Sequence, residues 1–152
     1  MKKLFKLFFA FAGGVVVLWN VPTATAQTCS DKTLKGSFGY TVTGTIVSNV
    51  GVLVAGPFVA VGRITFDGVG GVRTVRSLND NGNAVQHDPG TGTYSMNSDC
   101  TGSFTITVGP PQDLLTLSLD IVLDDLYELR GVVTTQGVVL AFQGKKQFPF
   151  NY

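Results

Sequence analysis

The chain has little of what most reaction chemistry is built from: one histidine, two cysteines and one tryptophan in 152 residues. A protein metal site gathers three or four ligands from His, Cys, Asp or Glu, and His87 beside Asp88 does not make one. No metal and no cofactor is therefore expected. His87-Asp88 has the form of an acid/base pair, since imidazole titrates near neutrality. Its setting, Gln86-His87-Asp88-Pro89, reads instead as a solvated loop. No serine stands in a G-x-S-x-G elbow. The glycines of GVGG, Gly68 to Gly71, lack the Lys-Ser/Thr and the helix of a phosphate loop. Asp120, Asp124, Asp125 and Glu128 lack the spacing of an EF-hand. Asp124-Asp125 has the composition of a hairpin turn, and Glu128 with Arg130 reads as a surface pair. No catalytic residue is expected.

A membrane-spanning run is missing too. Leu7 to Leu18 is apolar but only 12 residues long, short of the roughly 20 a spanning helix needs. Lys2, Lys3 and Lys6 precede it, and Pro22 and Ala24-Thr25-Ala26 follow. That is the three-part pattern of a secretory signal peptide, with cleavage expected before Gln27. The expected organisation is a signal peptide over 1–26 and a single domain over 27–152. Ala26-Gln27-Thr28 is a poor lipidation site, so Cys29 reads as a thiol destined for oxidation.

Cleavage removes three of the eleven basic residues, leaving eight against ten acids, a net charge of −2. Such a chain lacks the clustered Lys and Arg that nucleic acid needs, and it is not drawn to anionic membranes. The expected location is secreted or periplasmic. In an oxidising space two cysteines form one intramolecular bridge, Cys29–Cys100. It would pin the mature N-terminus to a hairpin tip within TGTYSMNSDCTGSF.

Helical periodicity is absent past Gln27. Phe38, Tyr40, Val42 and Ile46 alternate with Ser37, Thr41, Thr43 and Thr45. Phe58, Ala60, Ile64 and Phe66, and later Phe104, Ile106 and Val108, repeat the pattern. Gly, Asn, Asp and Pro separate the runs, which is the signature of strands and hairpins. About eight strands follow one another through short connections, with NDNGNAVQHDPG as a polar loop. The fold class is all-β, an eight-stranded antiparallel up-and-down barrel, the form that removes exposed edges. A sandwich fits the strand count nearly as well. The apolar stretch from Val47 to Val61 has two readings, a bent buried strand or a flap at a barrel mouth.

The segments CSDKTLKGSFGYTVTGT, GRITFDGVGGV and TGTYSMNSDCTGSFTITV resemble a group of small secreted bacterial β-barrel proteins. The resemblance covers Cys29 to about Lys145. In layout it is similar to calycin-type barrels, such as lipocalins and the allene oxide cyclase-like barrels. It implies that fold and a hydrophobic ligand, and it implies no shared catalytic motif.

One register holds Phe38, Tyr40, Phe58, Tyr94, Phe104, Tyr127 and Leu129 among other large residues. An eight-stranded barrel either fills with such side chains or holds one small ligand. In the second case Tyr40, Tyr94 and Tyr127, with Phe58 and Phe104, are the candidate ligand contacts. The expected function is non-enzymatic binding of a small apolar ligand or of an extracytoplasmic partner. The alternatives are a cyclase-like barrel enzyme and an eight-stranded outer-membrane barrel. Arg73 and Arg76, on opposite registers, oppose the last, since one of them would meet lipid.

Overall fold

A computed structural model describes residues 28–125 and 127–148. The expected signal peptide and its cleavage site, and the C-terminal Phe150 and Tyr152, lie outside the described residues. Eight strands form one closed antiparallel barrel in sequence order. They are β1 (Gly36–Ile46), β2 (Gly56–Phe66), β3 (Gly71–Asp80), β4 (Asn83–Met96), β5 (Thr101–Val108), β6 (Leu115–Asp124), β7 (Glu128–Val133) and β8 (Val138–Lys146). Pairing of β1 with β8, with Val42 opposite Phe142, closes the ring.

The alternation read from the sequence sets the two faces. Phe38, Tyr40, Val42, Phe58, Ile64, Phe66, Phe104 and Phe142 are buried inside. Their rings meet in sequence: Phe38–Phe66 at 5.7 Å, Phe66–Phe104 at 6.0 Å, Phe104–Phe142 at 5.7 Å and Phe142–Tyr40 at 5.2 Å between centroids. Such pairs add about 0.5–1.5 kcal/mol each beyond the area they bury. The outer register carries Thr41, Thr43, Thr93, Arg73 and Asp120, all exposed, together with exposed valines such as Val59, Val61, Val132 and Val139. The large aromatic side chains of the strands thus face inward.

The two ends are sealed differently. At one end a short 3-10 turn, Asp31–Leu34, sets the fully buried Leu34 against the core. Cys29 is linked there to Cys100 of the β4–β5 turn, and its N–H donates to the Ser98 carbonyl at 3.1 Å. At the other end, residues 47–55 form a loop that folds over the mouth. Val50 and Leu53 bridge each other, and Leu53 is buried. The Val47–Val61 stretch is therefore neither reading alone: a flap over 47–55 leads into β2.

Two further expectations need correction. The stretch read as a polar loop is mostly strand, because β3 and β4 pair down to the tight turn at Asn81-Gly82. A register shift between Arg76 and Leu78 puts an extra residue in β4 opposite Ser77, with His87 at φ 55°. Such a bulge bends the strand and breaks its alternation. Also, Arg130 pairs with Asp124, not with Glu128.

Candidate functional site

One row of cross-strand partners runs through the interior's ion pair. Gly144 of β8 stands opposite Tyr40 of β1, and Tyr40 opposite Gly62 of β2. Gly62 stands opposite Arg76 of β3, and Arg76 opposite Asp88 of β4. The glycines decide what fits. A Cβ on Gly62 would lie 2.5 Å from the Val75 carbonyl oxygen and 2.9 Å from the Arg76 Cα. Without side chains at Gly62 and Gly144, Tyr40 and Arg76 can both lie inside the ring.

Arg76 and Asp88 are 7% and 10% exposed, and their ion pair spans 3.0 Å. Both Nε and Nη2 of Arg76 reach the same carboxylate oxygen, Oδ2. Beside them the Thr74 hydroxyl donates to the Arg63 carbonyl at 3.1 Å. Its proton being so used, the 2.8 Å bond between Tyr40 and Thr74 runs from the Tyr40 O–H to Thr74 Oγ1. Tyr40 Oη keeps its lone pairs as an acceptor. Burial pushes the Tyr40 hydroxyl above its ordinary range, outweighing the hydrogen bond it shares with Thr74 and the charge of Arg76. It stays a neutral phenol.

Tyr40, Thr74 and Arg76 form one wall of an internal cavity of about 30 Å³, with Asp88 behind Arg76. Phe58, Phe104, Leu117, Leu140 and Phe142 form much of the rest. That volume is room for about two waters, far below the roughly 300–1,000 Å³ of a ligand pocket. With the flap in place the interior is filled. The flap is held at Asp80, whose Oδ2 accepts the Val54 N–H at 2.7 Å. Asp80 is 4% exposed, and its Oδ1 is buried with no hydrogen-bond partner.

Of the five aromatic residues named from the sequence as ligand contacts, Tyr40, Phe58 and Phe104 share the cavity. Tyr94 is buried elsewhere, where its hydroxyl accepts the Gly68 N–H and donates to the Asp31 carbonyl, both at 2.9 Å. It latches the N-terminal segment. Tyr127 is a correction: it lies in the β6–β7 turn, 48% exposed, with its ring on Phe148. β7 begins only at Glu128, so the inward alternation never reaches it. His87 is exposed while Asp88 turns inward to Arg76, so the two do not form an acid/base pair. Among the described residues no group of three or more His, Cys, Asp or Glu comes together.

The sequence reading missed Thr74, Arg76 and Asp88. Counting in twos from Val72 reaches Thr74 and Arg76, and counting back from Tyr94 reaches Asp88. That signal was present, hidden by treating the segment between as a loop.

No family model matches the chain, and no curated protein matches it either. Among solved structures it is similar to a redesigned β-barrel, with a TM-score of 0.55 and 15% identity, covering 82% of this chain and 100% of that one. At that identity the likeness shows the fold alone.

Proposed function

We propose that the chain is an exported, non-enzymatic binding barrel for a small, mostly apolar molecule bearing one hydrogen-bonding group. The observation that carries this reading is the buried Arg76–Asp88 pair beside Tyr40 and Thr74, at a cavity whose remaining lining is apolar. Buried ion pairs add little net stability over apolar packing, and a few convergent polar groups in an apolar cavity wall are what a small-molecule site uses. The guanidinium offers donors and Tyr40 Oη an acceptor. Because Asp88 already neutralises Arg76, a neutral hydroxyl or amide suits the wall better than a carboxylate. Such a molecule enters only when the 47–55 flap lifts and withdraws Leu53 from the mouth.

In this reading residues 1–26 are a signal peptide, 27–152 are the mature domain, and the destination is the periplasm or the exterior. The buried Cys29–Cys100 bridge supports an oxidising destination. The resemblance to small secreted bacterial barrels of calycin-like layout is in keeping with it. Exposed charges on the outer register, Arg73 and Asp120 among them, weigh against a membrane barrel.

Native mass spectrometry of the exported chain, purified without detergent, tests the proposal. The expected mass starts at Gln27, is two hydrogens light for the disulfide, and carries a small adduct. Tyr40→Phe/Thr74→Val should fold and lose the adduct, since it removes both partners of one bond together. A bare wild-type mass, or an adduct indifferent to that variant, would overturn the reading.

A further inference from the structure

A second site lies on the outside of the barrel and does not depend on the interior reading. Gly39 of β1 stands opposite Arg63 of β2 on one side and Lys145 of β8 on the other. Their Cα atoms are therefore two strand spacings apart, about 10 Å, with no side chain of β1 between them. Two long cationic side chains at that separation can close on one oxyanion from both sides.

The gap is built rather than merely bare. A Cβ on Gly39 would lie 3.1 Å from the Gln147 amide nitrogen, which rests over this position. The Gln147 backbone N–H holds the segment down by donating to the Ser37 carbonyl at 2.8 Å. Ser37 and Thr65 exchange a 2.9 Å hydroxyl bond along the same wall. Lys146 lies at the rim with Nζ 5.7 Å from the Phe38 ring centroid. Phe148, 60% exposed, ends a groove of about 880 Å³ and meets the Tyr127 ring at 5.3 Å, tilted by 56°.

The charges there are unbalanced. Neither Arg63 nor Lys145 forms an ion pair among the described residues. Glu128 stands opposite Lys145 in the β7–β8 register without bonding to it, and Arg73 lies diagonal to Arg63 on the outer face of β3. This concentration occurs in a chain that carries more acids than bases once Lys2, Lys3 and Lys6 are set aside.

We infer that this groove binds a phosphate or sulfate monoester on a soluble small molecule, with Arg63 and Lys145 gripping the oxyanion, Gln147 donating to it, and Phe148 packing on the attached ring or apolar body. Arginine and lysine both serve oxyanions, the first as a planar fork and the second as a point charge.

The test is an amide-shift NMR titration of residues 27–152 with phenyl phosphate, inorganic phosphate and vesicles containing phosphatidylglycerol. Phenyl phosphate should saturate on the order of a millimolar, moving the amides of Gly39, Lys145 and Gln147 and leaving those of Thr74 and Arg76 still. Inorganic phosphate should move the same amides more weakly, for lack of the ring contact. Arg63→Gln/Lys145→Gln should weaken phenyl phosphate about tenfold or more, with an unchanged thermal midpoint. Shifts that never saturate, that scatter over all surface cations, or that survive the double variant would overturn the site. Binding to the vesicles with none to phenyl phosphate would overturn the soluble-ligand assignment.

Discussion

Changing Asp88 to Asn leaves the Arg76 guanidinium inside the barrel without its counter-ion. At 3.0 Å the attraction removed is about 5.5 kcal/mol at an effective dielectric constant of about 20. The asparagine oxygen returns part of it, so the expected net loss is about 3–5 kcal/mol. That is a large share of the roughly 5–15 kcal/mol that holds a domain of this size. A guanidinium cannot shed its proton, so the loss should stay level between about pH 5 and 8. Arg76→Met leaves the buried Asp88 carboxyl without its partner and should cost a similar amount. Arg76→Met/Asp88→Val removes both charges and should lie within about 2 kcal/mol of wild type. Urea unfolding followed by circular dichroism measures all three. Asp88→Asn within about 1 kcal/mol of wild type would refute the buried pair. A double variant as unstable as Asp88→Asn would show that packing, not charge, is at stake.

Removing the Cys29–Cys100 link by changing both residues to Ser frees a separation of 71 residues and should cost about 4 kcal/mol in thermal or urea unfolding; a loss under about 1 kcal/mol would mean that Tyr94 and Leu34 hold the segment unaided. Gly62→Ala forces a methyl against the Val75 carbonyl and the Arg76 backbone, and should cost about 1–3 kcal/mol, whereas an unchanged midpoint would show that β2 and β3 can part there freely. Burial pushes up the hydroxyls of both Tyr40 and Tyr94, so tyrosinate absorbance in the folded protein should show two late-titrating rings. The stability they contribute is present below pH 10.0, the ordinary value, and is lost as pH rises beyond it; ordinary titration of all rings before unfolding would contradict their burial. The Val69 and Gly71 N–H groups hold the exposed Asp67 carboxyl below its usual range, and the Thr101 hydroxyl and N–H do so for Asp99. Carboxylate shifts followed by NMR should show both still ionised when free aspartates protonate, and the stability they give fades only as pH falls through their lowered values.

The barrel was legible because its signals are local and repeat. Alternation from Phe38 to Ile46 and from Phe104 to Val108 fixes an inward face, and Asp67 to Gly71 or Gln136-Gly137 fixes a turn. The cysteine pair followed from counting. What escaped were features made by registers between strands. Gly62 is one glycine among nineteen in the sequence, and only its position between Tyr40 and Arg76 shows what it makes room for. Asp88 sits where polar composition imitated a loop, and the bulge at His87 hid the strand continuing beneath it, so its partnership with Arg76 did not show. Arg63 and Lys145 lie 82 positions apart and meet only across Gly39. Tyr127 failed for the opposite reason, since alternation was extended past the end of a strand.

The seam between β1 and β8 has a bearing on how such a chain is made. Val42 waits for Phe142, a hundred positions later, so the ring has no stable half-built form. Non-local closure of this kind makes folding slow. Until β8 arrives, the outer edge of β1 is an open template for pairing with other chains. A polypeptide threaded through a membrane N-terminus first would thus remain pliable for its whole passage and condense only once its last strand had cleared. Slow assembly, a liability in a crowded compartment, would then keep the chain threadable for as long as it travels.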